Sequence, residues 1–124
     1  MSGPRLRITS VTIATPQPRR LAAFYARHLD GPVTAVEGPE PGEPDAAGWA
    51  QIRAPAEVTL NFEYEAQWTE PTWPSEPGRQ HATEHLDVAA SDLDAAIAHA
   101  VEVGARLAPV QPQDTVRVMF DPEG

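Results

Sequence analysis

The stretch "EHLDV", residues 84–88, sets a histidine and a carboxylate two positions apart in a run that alternates like a strand. His85 and Asp87 then share one face, and Leu86 and Val88 share the other. Imidazole beside carboxylate supports two chemistries. One is metal ligation. The other is proton transfer, with His85 as general base and Asp87 or Glu63 as its orienting carboxylate. A third reading has no reaction at all: the pair is the polar floor of a cleft that holds an organic ligand. The catalytic candidates are therefore His85, Asp87 and Glu63. His81 falls on the same strand face as His85, but about 13 Å along an extended strand, too far to share one metal. No cysteine is present, so no thiolate nucleophile or cysteine metal site exists within these residues. The chain also has no Gly-rich phosphate loop, no serine nucleophile elbow and no basic aromatic stripe.

A chain of 124 residues is expected to form one domain. Its apolar fraction of 41% leans heavily on alanine, so the core should be thin. Acids outnumber bases 18 to 9, and every base is arginine. A net charge of −9 repels phosphate, which argues against nucleic acid and anionic membrane as partners. No apolar run reaches membrane-spanning length and the N-terminal residues hold no apolar signal core, so the expectation is a soluble cytoplasmic protein.

The elements that must hold the candidate residues follow from periodicity. "RLRITSVTIA", residues 5–14, alternates and is β-branched, a strand with Ser10 and Thr12 on one face and Val11 and Ile13 on the other. Pro18 suits a first helical turn, and Leu21, Phe24, Tyr25, His28 and Leu29 follow at helical spacing until "DGP" stops them. "VTAVE", "WAQIR" and "VTLNFEYE" are strands, the last two joined around Ala54-Pro55-Ala56. Val58, Leu60 and Phe62 take one side of the last strand, Asn61 and Glu63 the other. The loop over residues 38–48 is acidic and proline-rich, read as a solvated surface loop rather than a lid. Residues 65–81 form a connector pinned by Trp68 and Trp73. "ATEHLDVAA" is then a strand, and "SDLDAAIAHAVEVGA" a helix with Ser91 as N-cap and Gly104 as stop. "RLAPV" and "TVRVMF" are strands, and "DPEG" is a turn.

Strand, helix and strands thus occur twice, about 75 residues apart. Laying Ser10 on His85 puts Val11 on Leu86, Thr12 on Asp87 and Ile13 on Val88. The fold class is α+β: two tandem βαβββ modules whose curved mixed sheets surround a cleft, with the helices outside. Module one spans residues 5–64, the connector 65–81 and module two 82–124. Val11, Ile13, Leu86 and Val88 should lie under the helices, and Ser10, Thr12, His85 and Asp87 should line the cleft.

In "ATPQPRRLAAFYARHLDGPV", "PTWP", "HLDVAASDLDAAIAHAVEVGA" and "DPEG" the chain resembles the glyoxalase, bleomycin-resistance and extradiol-dioxygenase superfamily, the vicinal oxygen chelate fold. The resemblance is greatest to its small glyoxalase-like domain proteins. It implies a further strand beyond "DPEG", so the last strand of the second module is absent from this chain. It also implies metal ligands from the first and last strand of each module. Those positions hold Ser10, Glu63 and His85, so a metal, if bound, would rest on His85 and Glu63, with Asp87 converging on them. No cofactor is expected on this count, with zinc, nickel, manganese or iron as the divalent alternative.

Two functional expectations follow. In the first, the protein binds a small organic molecule in the cleft without a complete metal site, through Ser10, Thr12, Trp49, Asn61 and Trp68. In the second, it is a metal-dependent lyase, isomerase or dioxygenase using His85 and carboxylates, or a metal-free acid–base catalyst at His85. The resemblance further implies a homodimer.

Overall fold

The computed structural model describes residues 3–54 and 58–124. Part of the expected joint at Ala54-Pro55-Ala56, namely Pro55 and Ala56, lies outside the described residues. The chain divides into two compact units, Met1–Tyr64 and Glu65–Gly124. No helix among the described residues is long and apolar enough to cross a membrane.

The first unit is a βαβββ module. Its elements are β1 (Ser10–Thr15), α1 (Pro18–Leu29), β2 (Val33–Glu37), β3 (Trp49–Arg53) and β4 (Thr59–Tyr64). The sheet order is β1-β4-β3-β2. β1 runs parallel to β4, while β3 is antiparallel to both β4 and β2. The return from β1 to a parallel partner requires a long crossover, which α1, β2 and β3 supply. Strand alternation sends Ala50, Ile52, Leu60 and Phe62 to one face, all at most 2% exposed. α1 buries Pro18, Leu21, Ala22 and Phe24 in this unit's core, and the Tyr25 ring stacks on Phe62 at 5.6 Å. Each large apolar side chain buried here contributes about 1.5–3 kcal/mol relative to exposure. Thr15, fully buried, accepts a hydrogen bond from the Gln17 amide at 3.1 Å and so settles the entry to α1. Asp30 turns left-handed at φ 53, and Gly31 follows where any Cβ would collide with the Arg53 carbonyl. The helix exit can therefore lie flat against the end of β3.

β1 starts at Ser10, not at Arg5. Residues 5–9 alternate but pair with no strand, and Leu6 and Ile8 stand 88% and 91% exposed. Val11 is also partly exposed, at 39%, so α1 covers the β1 end of the face less completely than expected.

The second unit holds α2 (Leu93–Val103) and a short hairpin of β5 (Arg106–Leu107) and β6 (Met119–Phe120). Its buried apolar residues are Ala100, Ala105 and Ala108, the thin core that the composition implies. Gln111 braces the hairpin: its amide nitrogen donates to the Ala108 and Val118 carbonyls, each at 2.9 Å, and its oxygen accepts from the Val118 amide at 2.8 Å. Trp73 lies edge-on to Phe120 at 6.4 Å, which pins the segment after residue 65 as anticipated.

Three expectations fail in this unit. Residues 82–90 form no strand, and Leu86 and Val88 are exposed rather than covered. An alternating run becomes a strand only when a neighbour completes its hydrogen bonds, and among the described residues no backbone ladder reaches it. The strands read at 106–110 and 115–120 shrink to two residues each. Lastly, Asp92 rather than Ser91 caps α2, its carboxylate accepting from the Ala95 amide at 3.1 Å.

Candidate functional site

The face of the first sheet opposite the core carries the polar residues of the module. The pairing registers arrange them in rows. Thr12, Asn61 and Gln51 are direct neighbours across β1, β4 and β3. Two residues along, about 7 Å away by strand rise, Ala14, Glu63, Trp49 and Glu37 form a second row that crosses all four strands.

The first row is a directional hydrogen-bond chain. The Thr34 hydroxyl, brought across by the irregularity in β2, donates to Gln51 Oε1 at 2.9 Å. Gln51 Nε2 donates to Asn61 Oδ1 at 2.8 Å. Asn61 Nδ2 then donates to Ser10 Oγ at 3.2 Å and to Thr12 Oγ1 at 3.4 Å. Every donor points from β2 toward β1. The two hydroxyls at the end act as acceptors, so each retains its own proton for another acceptor. Bonds aligned in this sense polarise one another, which sharpens the terminal donors.

The second row borders an open depression of ≈ 430 Å³ lined by Glu37, Gly38, Glu40, Glu43, Gly48, Trp49, Glu63 and Tyr64. Gly48 makes its edge: at φ +124 it passes so close to Glu37 that a Cβ would strike the Glu37 carbonyl. The loop over residues 38–48 is tied at its end. Arg19 on α1 donates through Nη2 to the carbonyls of Asp45 and Ala47, the latter at 3.2 Å, and Ala47 is fully buried. Tight turns at Glu40–Glu43 and Pro44–Ala47 shape the remainder.

Of the residues expected to form the site, Ser10, Thr12 and Asn61 meet in the first row, and Trp49 and Glu63 adjoin in the second. Trp68 lies in the second unit, half-buried, its amide bonded to the Glu65 carbonyl at 3.3 Å. His85 and Asp87 also belong to the second unit. Their side chains pair at 3.4 Å, Nε2 to Oδ1, but are 81% and 93% exposed. Sequence reasoning overlooked Glu37, Glu40 and Glu43. Glu37 was recoverable from pairing "VTAVE" with "WAQIR" antiparallel, which sets it opposite Trp49. The two loop glutamates carry no periodic signal.

A helix-crossed sheet with its second face polar and open is the βαβββ module of the vicinal oxygen chelate fold. The likeness extends over the chain: a crystal structure of a point mutant of the fosfomycin resistance protein FosX from Listeria monocytogenes superposes with a TM-score of 0.66. The two are 11% identical, and the match covers 94% of this chain and 85% of FosX. Within that fold, the family model for the glyoxalase-like domain matches residues 10–124, and the chain belongs to that family. No curated protein sequence matches it.

The FosX structure is a complex with Mn(II) and 1S,2S-dihydroxypropylphosphonic acid. Among the described residues of this chain, no three histidine or carboxylate side chains gather closely enough to hold a metal ion. Of the expected set, Glu63 belongs to the first unit and His85 and Asp87 to the second.

Proposed function

We propose that the protein binds a small organic molecule on the open face of its first sheet, through Ser10, Thr12, Asn61 and Trp49. The observation that carries this reading is the directional chain from Thr34 to the Ser10 and Thr12 hydroxyls. It leaves two donors on an uncovered surface with an aromatic side chain one row away, the usual make-up of a small-molecule site: apolar area plus a few placed polar groups. The bound molecule would present a carbonyl or carboxylate oxygen to the two hydroxyls.

Titration of the labelled protein with benzamide and acetophenone, followed by NMR, tests this. Saturable shifts at residues 10–12 and at the Asn61 and Gln51 side-chain amides are expected. A Ser10→Ala/Thr12→Val double variant should abolish them. Shifts that fall elsewhere, or persist in the double variant, would refute it.

A metal-dependent lyase, isomerase or dioxygenase is the second reading, supported by the Mn(II) in the FosX complex and by the His85–Asp87 pair. Metal analysis of protein prepared without chelator, beside His85→Ala, decides it: stoichiometric metal lost in the variant favours it, and no metal in either defeats it. Metal-free acid–base catalysis at His85 would require the same variant to lose turnover. We further propose a cytoplasmic homodimer; light scattering of the eluting protein measures its mass directly.

A further inference from the structure

We infer that two copies of this chain join by exchanging strands, residues 5–9 of each pairing antiparallel with residues 85–89 of the other; this rests on the homodimer reading above and names its surface. Both segments alternate, and both are open. β1 is an outer strand of its sheet, and residues 5–9 lead into it with no strand beside them. Residues 82–90 form no strand, and among the described residues no backbone ladder reaches them. Extended backbone left unpaired in this way is a template for another chain. Each copy therefore offers what the other needs. The exchange is two-fold symmetric, so a dimer holds the pairing twice and leaves neither segment over.

Side chains choose the register. Leu6 and Ile8, 88% and 91% exposed, share one side of their run; Leu86 and Val88, 37% and 52% exposed, share one side of theirs. Setting Arg7 opposite Asp87 in an antiparallel pair sets Leu6 opposite Val88 and Ile8 opposite Leu86. Four apolar side chains then meet on one face, and a guanidinium meets a carboxylate on the other. Directly opposed residues hold their Cβ atoms about 4.5–5.5 Å apart, within reach of both contacts. Asp87 engages His85 through Oδ1 at 3.4 Å, and its second oxygen can accept from arginine. Arg7 has no ion-pair partner among the described residues of its own chain. A one-residue slip either way would oppose Ile8 to Asp87 or to His85, which fixes the pairing. Charge also favours exchange over the meeting of like halves. Residues 1–64 carry six arginines against seven acids, whereas residues 65–124 carry three against eleven. Two second units repel each other, while the first unit of one copy brings Arg5 and Arg7 to the acidic second unit of the other.

Charge reversal tests this on the full chain. Light scattering over a concentration series at low salt measures dimer formation by the wild type, Arg7→Glu and Asp87→Arg. Each single variant opposes like charges at both pairings and should weaken the dimer about ten- to thirtyfold. An equimolar mixture of the two variants should recover the wild-type dimer, because both pairings of a mixed dimer again oppose unlike charges. Both side chains are exposed, so far-UV circular dichroism of each variant should match the wild type. The chain has no cysteine, so register is read by cross-linking. Under mild oxidation, Leu6→Cys mixed with Val88→Cys should form a disulfide-linked dimer faster than Leu6→Cys mixed with Leu86→Cys. A wild type that stays monomeric would overturn the homodimer reading and the exchange together. A dimer indifferent to both charge variants would overturn the exchange alone. A mixture no tighter than either variant by itself, the result expected of pairing within one chain, would also overturn it, as would the reverse order of cross-linking.

Discussion

Asn61 and Phe62 are consecutive in β4 and face opposite ways, so truncating each to alanine should give very different results. Phe62 is fully buried, shares its face with Ala50, Ile52 and Leu60, and stacks against Tyr25 at 5.6 Å with 18° between the rings. Phe62→Ala removes that ring from the centre of a core in which Leu21, Phe24, Ile52 and Leu60 are the comparable buried side chains among the described residues. The expected cost is about 3–5 kcal/mol, transfer and cavity terms together. Asn61→Ala deletes hydrogen bonds of 2.8, 3.2 and 3.4 Å on a partly solvated face. Its cost should be about 0.5–1.5 kcal/mol, because water replaces the lost partners. With a urea slope of about 2 kcal/mol/M, the midpoint falls by about 2 M for Phe62→Ala and by about 0.5 M for Asn61→Ala. Equilibrium urea unfolding followed by far-UV circular dichroism measures both. Equal shifts, or a larger one for Asn61→Ala, would refute the face assignment, since a one-residue slip exchanges every side chain between faces.

Asp92→Ala should lose about 1 kcal/mol of stability by thermal unfolding while Ser91→Ala stays within about 0.5, because the Asp92 carboxylate alone caps α2. Gly48→Ala should cost about 1–3 kcal/mol, since it adds a Cβ at φ +124 against the Glu37 carbonyl. Arg19→Ala should leave β4 protected from hydrogen exchange but speed exchange at residues 45–48, whose carbonyl anchors it removes. His85→Ala should shift the melting temperature negligibly, as a side chain 81% exposed supports no packing.

The first module was legible almost residue by residue. β2 and β3 lie where "VTAVE" and "WAQIR" placed them, and Leu60 and Phe62 face inward with Asn61 and Glu63 outward. There local periodicity and tertiary environment agree. "EHLDV" shows the limit of the same reasoning. Alternation states which side chains share a face, but not whether a neighbouring strand exists to make the face real. His85 and Asp87 do approach each other at 3.4 Å, as two-residue spacing allows, yet on exposed backbone rather than on a sheet. The acidic depression was hidden for a related reason. Glu37, Trp49 and Glu63 are separated along the chain and meet only through ladder register. Ser91 and Asp92 are both good cap residues, and composition alone does not choose between neighbours of equal propensity.

The parallel pairing of β1 with β4 also bears on how the protein is made. β1 leaves the ribosome well before its hydrogen-bonding partner, Thr59–Tyr64. Until then β1 has no strand to join, and α1 has neither Leu60 nor Phe62 to cover. β4 joins β1 on one side and β3 on the other, so its emergence closes the sheet in one step. Such a long-range closure is slow compared with helix formation. Until β4 emerges, the nascent chain therefore carries an unsealed apolar helix face and an unpaired strand, the condition in which chaperones bind.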